Sequence, residues 1–170
     1  MGLLRRFGDK LPVVGEGTFV AETAVLVGDV IVGARSSIWY GAVLRGDVFH
    51  IRVGDETSIQ DNAVIHVTHG RNATLVGSRC TIGHSVNLHG CVVRDHCIIG
   101  MGSIILDSAE VGERCIVGAG SLVPPGARIP PGVLALGSPA RPKRDLTSEE
   151  LGWLEVAADH YVELARLYVD

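Results

Sequence analysis

Three histidines in the middle of the 170-residue chain are the side chains best suited to chemistry: His66, His84 and His89. A neutral imidazole nitrogen is a common ligand of zinc and related ions, at nitrogen–metal distances of about 2.0–2.1 Å. Three of them can hold one metal ion if the fold brings their rings together. The surrounding repeat decides where each ring lies.

A six-residue repeat runs through most of the sequence. Val, Ile or Leu fills every register position, a spacing typical of a parallel β-helix in which short strands stack into triangular coils. We expect a mainly β fold of about six coils, with the interruptions after Leu44, Ile65 and Leu88 forming loops or corners. The register positions are Val14, Val20, Leu26, Val32, Ile38, Leu44, Val53, Ile59, Ile65, Val76, Ile82, Leu88, Val93, Ile99, Ile105, Val111, Val117, Val123 and Ile129.

The register stacks two of the three histidines. We number the three faces of the triangle by the hexads that begin them: the first with Leu44, Ile65 and Leu88, the second with Val53 and Val76, and the third with Ile59 and Ile82. His66 and His89 each follow a register position of the first face by one residue, which places them one coil apart, at about 4.8 Å. His84 follows Ile82 by two residues on the third face, so it emerges at a different edge of the triangle. Within one chain it is poorly placed to complete the same site.

A second copy of the chain would supply the missing ligand. In a homotrimer the first face of one subunit meets the third face of the next, and His84 would complete a three-histidine metal site at each interface. Arg45 shares the column of His66, and Asp61 stacks beneath His84, which predicts a charged pair across the interface with Gln60 and Asp47 nearby.

Composition restricts the cellular locations and the binding partners that we expect for this chain. The formal net charge of −4 argues against nucleic acid. No secretory signal and no membrane-spanning run are recognisable, so we expect no membrane partner. The four cysteines lack a C-x-x-C pair and are interpreted as unpaired core thiols, which favours a reducing, cytoplasmic location.

The last part of the chain reads differently from the repeat. We assign residues 1–136 to the hexapeptide-repeat β-helix, 137–146 to a linker and 147–170 to a C-terminal α-helix packed on the β-helix as part of one domain. Thr147 and Glu150 form a capping-box pattern, and an apolar stripe continues to about Val169.

Several segments around these residues resemble the γ-class carbonic anhydrases and their bacterial homologues. The resemblance covers nearly the whole chain, and the histidine spacings together with Arg45, Asp47 and Gln60 make it specific. The matching segments are 44–47, 59–62, 64–69, 82–90, 100–103, 118–123 and 137–140.

The resemblance implies a left-handed coil, a homotrimer and hydration of CO2 to bicarbonate by a metal-bound hydroxide. His66, His84 and His89 would be the metal ligands, Gln60 would hydrogen-bond the bound water or substrate, and Tyr161 would line the site. Arg45, Asp47 and Asp61 would organise the interface. Zn2+ is expected, with Fe2+ or Co2+ as possible substitutes.

This sequence differs from the most active relatives in the residues that could carry a proton away from the site. Those relatives carry an acidic loop, whereas the insertion Val67–Leu75 contains no Asp or Glu. His69 is the candidate proton shuttle in its place, with a loop histidine of no such role as the alternative. Low activity is therefore expected.

Three other functions fit the sequence. A metal hydroxide also attacks activated acyl groups, so an acyl-CoA thioester hydrolase is possible. A scaffold or assembly subunit could keep the metal for stability alone. Acyl transfer, common among hexapeptide-repeat proteins, is the weakest alternative because it does not require three converging histidines.

Overall fold

Short strands recur along the chain because each hexad supplies one inward-pointing apolar residue followed by a turn. The computed structural model describes residues 2–168 of the protein. Its strands are β1 (Leu3–Arg5), β2 (Val13–Val14), β3 (Phe19–Val20), β4 (Val25–Val32), β5 (Ser37–Ile38), β6 (Val43–Val53), β7 (Ser58–Ile59), β8 (Val64–His66), β9 (Thr74–Val76), β10 (Thr81–Ile82), β11 (Asn87–His89), β12 (Val92–Val93), β13 (Ile98–Ile99), β14 (Ile104–Ile105), β15 (Glu110–Val111), β16 (Ile116–Val117), β17 (Leu122–Val123), β18 (Arg128–Ile129), β19 (Val133–Gly137) and β20 (Ala140–Asp145).

The strands stack in parallel as three columns of a β-solenoid, and the predicted register is confirmed. On the first face Leu44 pairs with Ile65, and Ile65 with Leu88. On the second face Val53 pairs with Val76. The third face runs in register from β3 to β19, giving about seven turns, one more than the hexads alone indicated.

The interruptions of the repeat leave this stacking intact. The three extra residues after Leu44 do not form a separate loop, because β6 continues around the corner as one long strand that pairs with β4. The insertion after Ile65 forms a short turn, in which Thr68 and Asn72 make an isolated antiparallel bridge. The register positions on both sides therefore remain aligned.

The core is a stack of branched aliphatic side chains, and the four cysteines lie within it. All four are buried and free, as expected. Cys80, Cys97 and Cys115 occupy one column, and each thiol donates to a carbonyl oxygen one coil further on. Burial raises the pKa of Cys91 to about 12, so this thiol stays protonated at neutral pH.

The segment 137–146, expected to be a linker, instead contains β20. This strand folds back antiparallel on β19 and extends the third face. Prolines at 139 and 142 suggested an irregular segment. An edge strand tolerates proline, however, because one side of its backbone makes no ladder hydrogen bonds.

One helix, α1 (Ser148–Arg166), packs against β5 and β7 on the third face. Thr147 caps it, and the predicted capping box with Glu150 is confirmed. The helix ends at Arg166, before the expected end at Val169, which lies outside the described residues. Between residues 2 and 168 no helix is long and apolar enough to cross a membrane.

An ion-pair network fixes the helix to the solenoid. Arg79 sits at a corner of the coil, with its side chain 24% exposed, and pairs with Glu155 and Asp159 of α1 at 3.0 and 2.8 Å. It also pairs with Glu56, which in turn accepts hydrogen bonds from Arg35. Arg79 therefore links two coils to one face of the helix.

Candidate functional site

His66 and His89 lie side by side on adjacent strands of the first face. Their backbones are paired in register because Ile65 and Leu88, the preceding residues, stack in the core. The His66 Nδ1 and His89 Nε2 atoms are 3.2 Å apart. The stacking predicted from the hexads is therefore present.

A carboxylate holds the outer nitrogen of each of these two rings. Asp47 Oδ1 lies 3.1 Å from His66 Nε2, and Asp107 Oδ1 lies 3.0 Å from His89 Nδ1. The carboxylates favour the tautomers that carry the proton on these outer nitrogens. Both inner nitrogens then present lone pairs to each other.

Two facing lone pairs repel unless a cation lies between them. Two nitrogen ligands of a tetrahedral zinc ion are roughly 3.3 Å apart, by the geometry of nitrogen–zinc bonds of about 2.0–2.1 Å. The separation of 3.2 Å between His66 Nδ1 and His89 Nε2 is close to this value. The two residues therefore fit two adjacent positions on one metal ion.

Asp47 joins this pair to an arginine. Arg45 Nη1 lies 2.5 Å from Asp47 Oδ2. Burial tends to raise the pKa of Asp47, but hydrogen bonds from Arg45 and His66 outweigh it and hold that pKa below its usual value. Within the chain Arg45 thus has Asp47 as its partner, and its expected pair with Asp61 across an interface stays a prediction.

His84 lies at a different edge, as the register predicted. It follows β10 in a turn, its side chain is 50% exposed, and its Nδ1 atom lies 2.9 Å from Asp61 Oδ2. This carboxylate leaves Nε2 as the nitrogen available to a ligand. Among residues 2–168 no group of three or more His, Cys, Asp or Glu side chains within the chain could hold a metal ion.

Aromatic residues surround the edge that carries His84. A pocket of about 260 Å³ is lined there by the polar residues Gln60, Asp61 and His84 and by Trp39, Tyr40, Tyr161, Leu164 and Tyr168. Gln60 is buried and lines this pocket together with Tyr161 of α1. Burial and the charge of Asp61 raise the pKa of Tyr161, which keeps its hydroxyl protonated at neutral pH.

His69 is the predicted site residue that the chain does not bring to the others. It is exposed in the turn between Thr68 and Asn72. No side-chain hydrogen bond or ion pair joins it to another candidate residue within the described part of the chain. Its expected role in proton transfer stays a prediction.

Similar proteins identify the family. The protein-family model described as bacterial transferase hexapeptide (six repeats) matches residues 90–125. Gamma carbonic anhydrase 1, mitochondrial, of Arabidopsis thaliana is 46% identical over 94% of the chain, which spans 60% of that relative's length. A carbonic anhydrase of Geobacillus kaustophilus is 44% identical over 94% of the chain and 87% of its own length. The chain belongs to the γ-carbonic anhydrase family.

Solved structures of similar proteins have the same fold. A hexapeptide transferase family protein from Anaplasma phagocytophilum is 42% identical, with a TM-score of 0.94 over 98% of both chains. A putative acetyltransferase from Bacillus cereus is 40% identical, with a TM-score of 0.95 over 98% of this chain and 96% of its own. The fold is thus shared with proteins described as transferases as well as with carbonic anhydrases.

Asp107 and Thr68 are the site residues that sequence reasoning missed. Asp107 comes two residues after Ile105, the first-face position one coil beyond Leu88, so the register aligns it with Gly90, the residue after His89. Its side chain reaches back to the His89 ring. Thr68 lies in the insertion, where the repeat gives no register. Its hydroxyl donates to Asp107 Oδ1 at 2.7 Å.

Proposed function

We propose that this chain catalyses the reversible hydration of CO2 to bicarbonate at a metal site between two subunits of a homotrimer. The observation that carries the proposal is the pair of facing imidazole nitrogens, 3.2 Å apart, with a carboxylate on each outer nitrogen. Membership of the γ-carbonic anhydrase family supports the same reaction.

The ligands would come from two protomers. His66 and His89 of one protomer would bind through the inner nitrogens, and His84 of the neighbour would bind through Nε2, because Asp61 occupies its Nδ1. Zn2+ suits three imidazoles best, and Fe2+ or Co2+ would accept the same set. With three neutral ligands of this kind, a bound ion would lower the pKa of a coordinated water to about 7, so that hydroxide would be available at neutral pH.

Residues at the edge that carries His84 would position the reactants. Gln60 is buried and lines the pocket beside His84, where its amide would donate a hydrogen bond to an oxygen of the substrate. Asp61 would keep His84 oriented. His69, exposed on its turn, would pass the released proton to buffer.

Metal analysis and a stopped-flow CO2 hydration assay on the same anaerobically purified sample test the proposal. We expect about one metal ion per chain and measurable hydration, with both lost in His89→Ala. His160→Ala, an exposed histidine on α1, is the matched control and should keep both. Hydration that persists in a metal-free His89→Ala protein would reject the proposal.

Hydrolysis of an acyl-CoA thioester is a second candidate. The aromatic pocket beside His84 has a volume of about 260 Å³, which is much more than CO2, a molecule of three atoms, would fill. A metal hydroxide attacks carbonyl carbons as well as CO2. Release of free thiol from acetyl-CoA, lost in His89→Ala and faster than CO2 hydration, would favour this candidate.

A further inference from the structure

Asp107 occupies a corner of the coil directly beyond His89. It lies in the turn between β14 and β15, and its Oδ1 atom accepts two hydrogen bonds, from His89 Nδ1 at 3.0 Å and from Thr68 Oγ1 at 2.7 Å. Burial tends to raise the pKa of Asp107, but the hydrogen bonds from Thr68 and His89 outweigh it and hold that pKa below its usual value. The group is therefore an anion in contact with the imidazole.

The insertion after Ile65 is fastened to the same corner. The Thr68 N–H donates to the Asn72 carbonyl at 3.0 Å, which closes the turn. The Ser108 hydroxyl donates to Asn72 Oδ1 at 3.2 Å. Two neighbouring residues, Asp107 and Ser108, thus hold both ends of this turn against the coil.

The backbone around His89 is shaped for the close approach of this carboxylate. Gly90 has a φ of +56°, and a Cβ atom at this position would lie 2.1 Å from Asp107 Oδ1. Any side chain at position 90 would therefore displace the carboxylate from His89. Thr74 adds a second tie, since its hydroxyl donates to the His66 carbonyl and accepts from the Gly90 N–H.

The two carboxylates of the histidine pair differ in their own partners. Asp47 shares its charge with Arg45 as well as His66. Asp107 pairs with no arginine or lysine among residues 2–168; its partners there are His89 and neutral side chains. Its carboxylate is therefore free to act mainly on the orientation and tautomer of the His89 ring.

We propose that Asp107 is a positioning residue that orients His89 with Nε2 toward the metal, and that Thr68 fixes Asp107 in turn. The turn 68–72 is then part of the support of the ligand as well as a connection between coils. This inference rests on the proposed metal site. It assigns Asp107 no contact with substrate.

Zn2+ affinity, measured on the purified full chain by competition with a chromophoric chelator, tests this role. Loss of an outer partner of a metal-bound histidine typically weakens metal affinity 10–100-fold. We expect that loss in Asp107→Asn and a smaller, few-fold loss in Thr68→Val, which keeps the side-chain volume. Asp145→Asn, the same change at an exposed position on β20, should bind Zn2+ like the wild type.

The tautomer of His89 in the metal-free protein gives an independent readout by 15N NMR of the imidazoles. We expect the proton on Nδ1 in the wild type and a shift toward the other tautomer in Asp107→Asn, whereas a purely structural role would leave the tautomer unchanged. If Asp107→Asn does not fold, Thr68→Val decides by the same two measurements.

The outcomes separate this inference from the proposed function. A wild-type protein that binds no Zn2+ overturns the metal site. A wild type that binds Zn2+, together with folded variants of unchanged affinity and unchanged His89 tautomer, overturns the role of Asp107 alone.

Discussion

The two histidine-bearing edges of the coil differ in how much of their support lies within the chain. At the first edge His66 and His89 face each other, and Asp47 and Asp107 hold both rings. At the second edge His84 is half exposed and has one carboxylate partner, Asp61. The same combination of histidine and carboxylate thus occurs three times, twice in the facing pair at the first edge and once alone at the second.

Only the first edge has its histidine positions fixed by strand pairing within a single chain. Strand pairing sets the distance between His66 and His89, because adjacent parallel strands are about 4.8 Å apart. No strand pairing connects His84 to them, so only contact with another copy could fix that distance. The site is proposed to be complete only after assembly.

Mixing two inactive variants is the strongest test of whether one metal site takes its ligands from two subunits. His84→Ala and His89→Ala should each lose bound metal and CO2 hydration. If equimolar subunits of the two variants assemble at random, about one quarter of all interfaces would combine an intact His66 and His89 pair with an intact His84. We expect metal content and activity to return to about that fraction after the two are refolded together. No recovery in trimers verified to be mixed would contradict a shared site.

Removing Arg79 should weaken the second edge and spare the first. Arg79→Met leaves Glu56, Glu155 and Asp159 without their shared cation, and we expect a loss of about 1–3 kcal/mol in the free energy of unfolding. Hydrogen exchange should speed up in α1 and stay unchanged in β8 and β11. Arg128→Met removes an ion pair of a 77% exposed arginine and should change stability little. Equal losses in both variants would count against this role.

Removing the capping box at the N-terminus of α1 should reduce the free energy of unfolding by a smaller amount. Thr147→Ala removes the side-chain acceptor of the Glu150 N–H and should cost about 1 kcal/mol in urea unfolding. The Zn2+ affinity should not change, because the cap lies at the far end of α1 from Tyr161. Ser148→Ala, one residue later, is the control. A similar cost in Ser148→Ala would show that the cap itself is not responsible.

Acid should remove the stabilising contribution of Glu56, which belongs to the ion-pair network between α1 and the solenoid. The hydrogen bond from Arg35 lowers the pKa of Glu56, burial opposes it, and the hydrogen bond from Arg79 adds to the lowering. A carboxyl with a lowered folded-state pKa stabilises the protein above its unfolded pKa, and that contribution disappears as the pH falls through the folded value.

Urea unfolding from pH 7 downward should therefore show a gap in stability between the wild type and Glu56→Gln. The gap should be full above the ordinary Glu value of 4.5 and shrink below it. Glu163→Gln, at a 71% exposed position, should follow the wild type throughout. A constant gap over the whole pH range would rule out the assigned cause.

The sequence was most informative where the repeat was regular. The hexads placed Ile65 opposite Leu88, and this alone put His66 beside His89 and separated His84 from both. Each of these positions depends only on counting residues from a buried apolar side chain. Capping chemistry likewise predicted the start of α1 at Thr147.

The remaining features depended on contacts that a residue count does not contain. Thr68 lies in an insertion whose path depends on hydrogen bonds from Thr68 to Asp107 and from Ser108 to Asn72, which join residues 39 and 36 positions apart in the sequence. Strand β20 forms because β19 presents an open edge, although its own prolines disfavour a strand. Asp107 was within reach of the register, but its importance became visible only through its contact with His89.

The placement of the ligand pair on consecutive coils limits how the solenoid can vary in length. One additional coil inserted between residues 66 and 89 would separate the two imidazoles by a further strand spacing, beyond the reach of a single ion. Coils added or removed outside residues 44–107 would leave the pair and its carboxylates untouched. The ends of the stack are thus open to growth, shortening or fusion in natural and designed variants, while its central turns must keep their number.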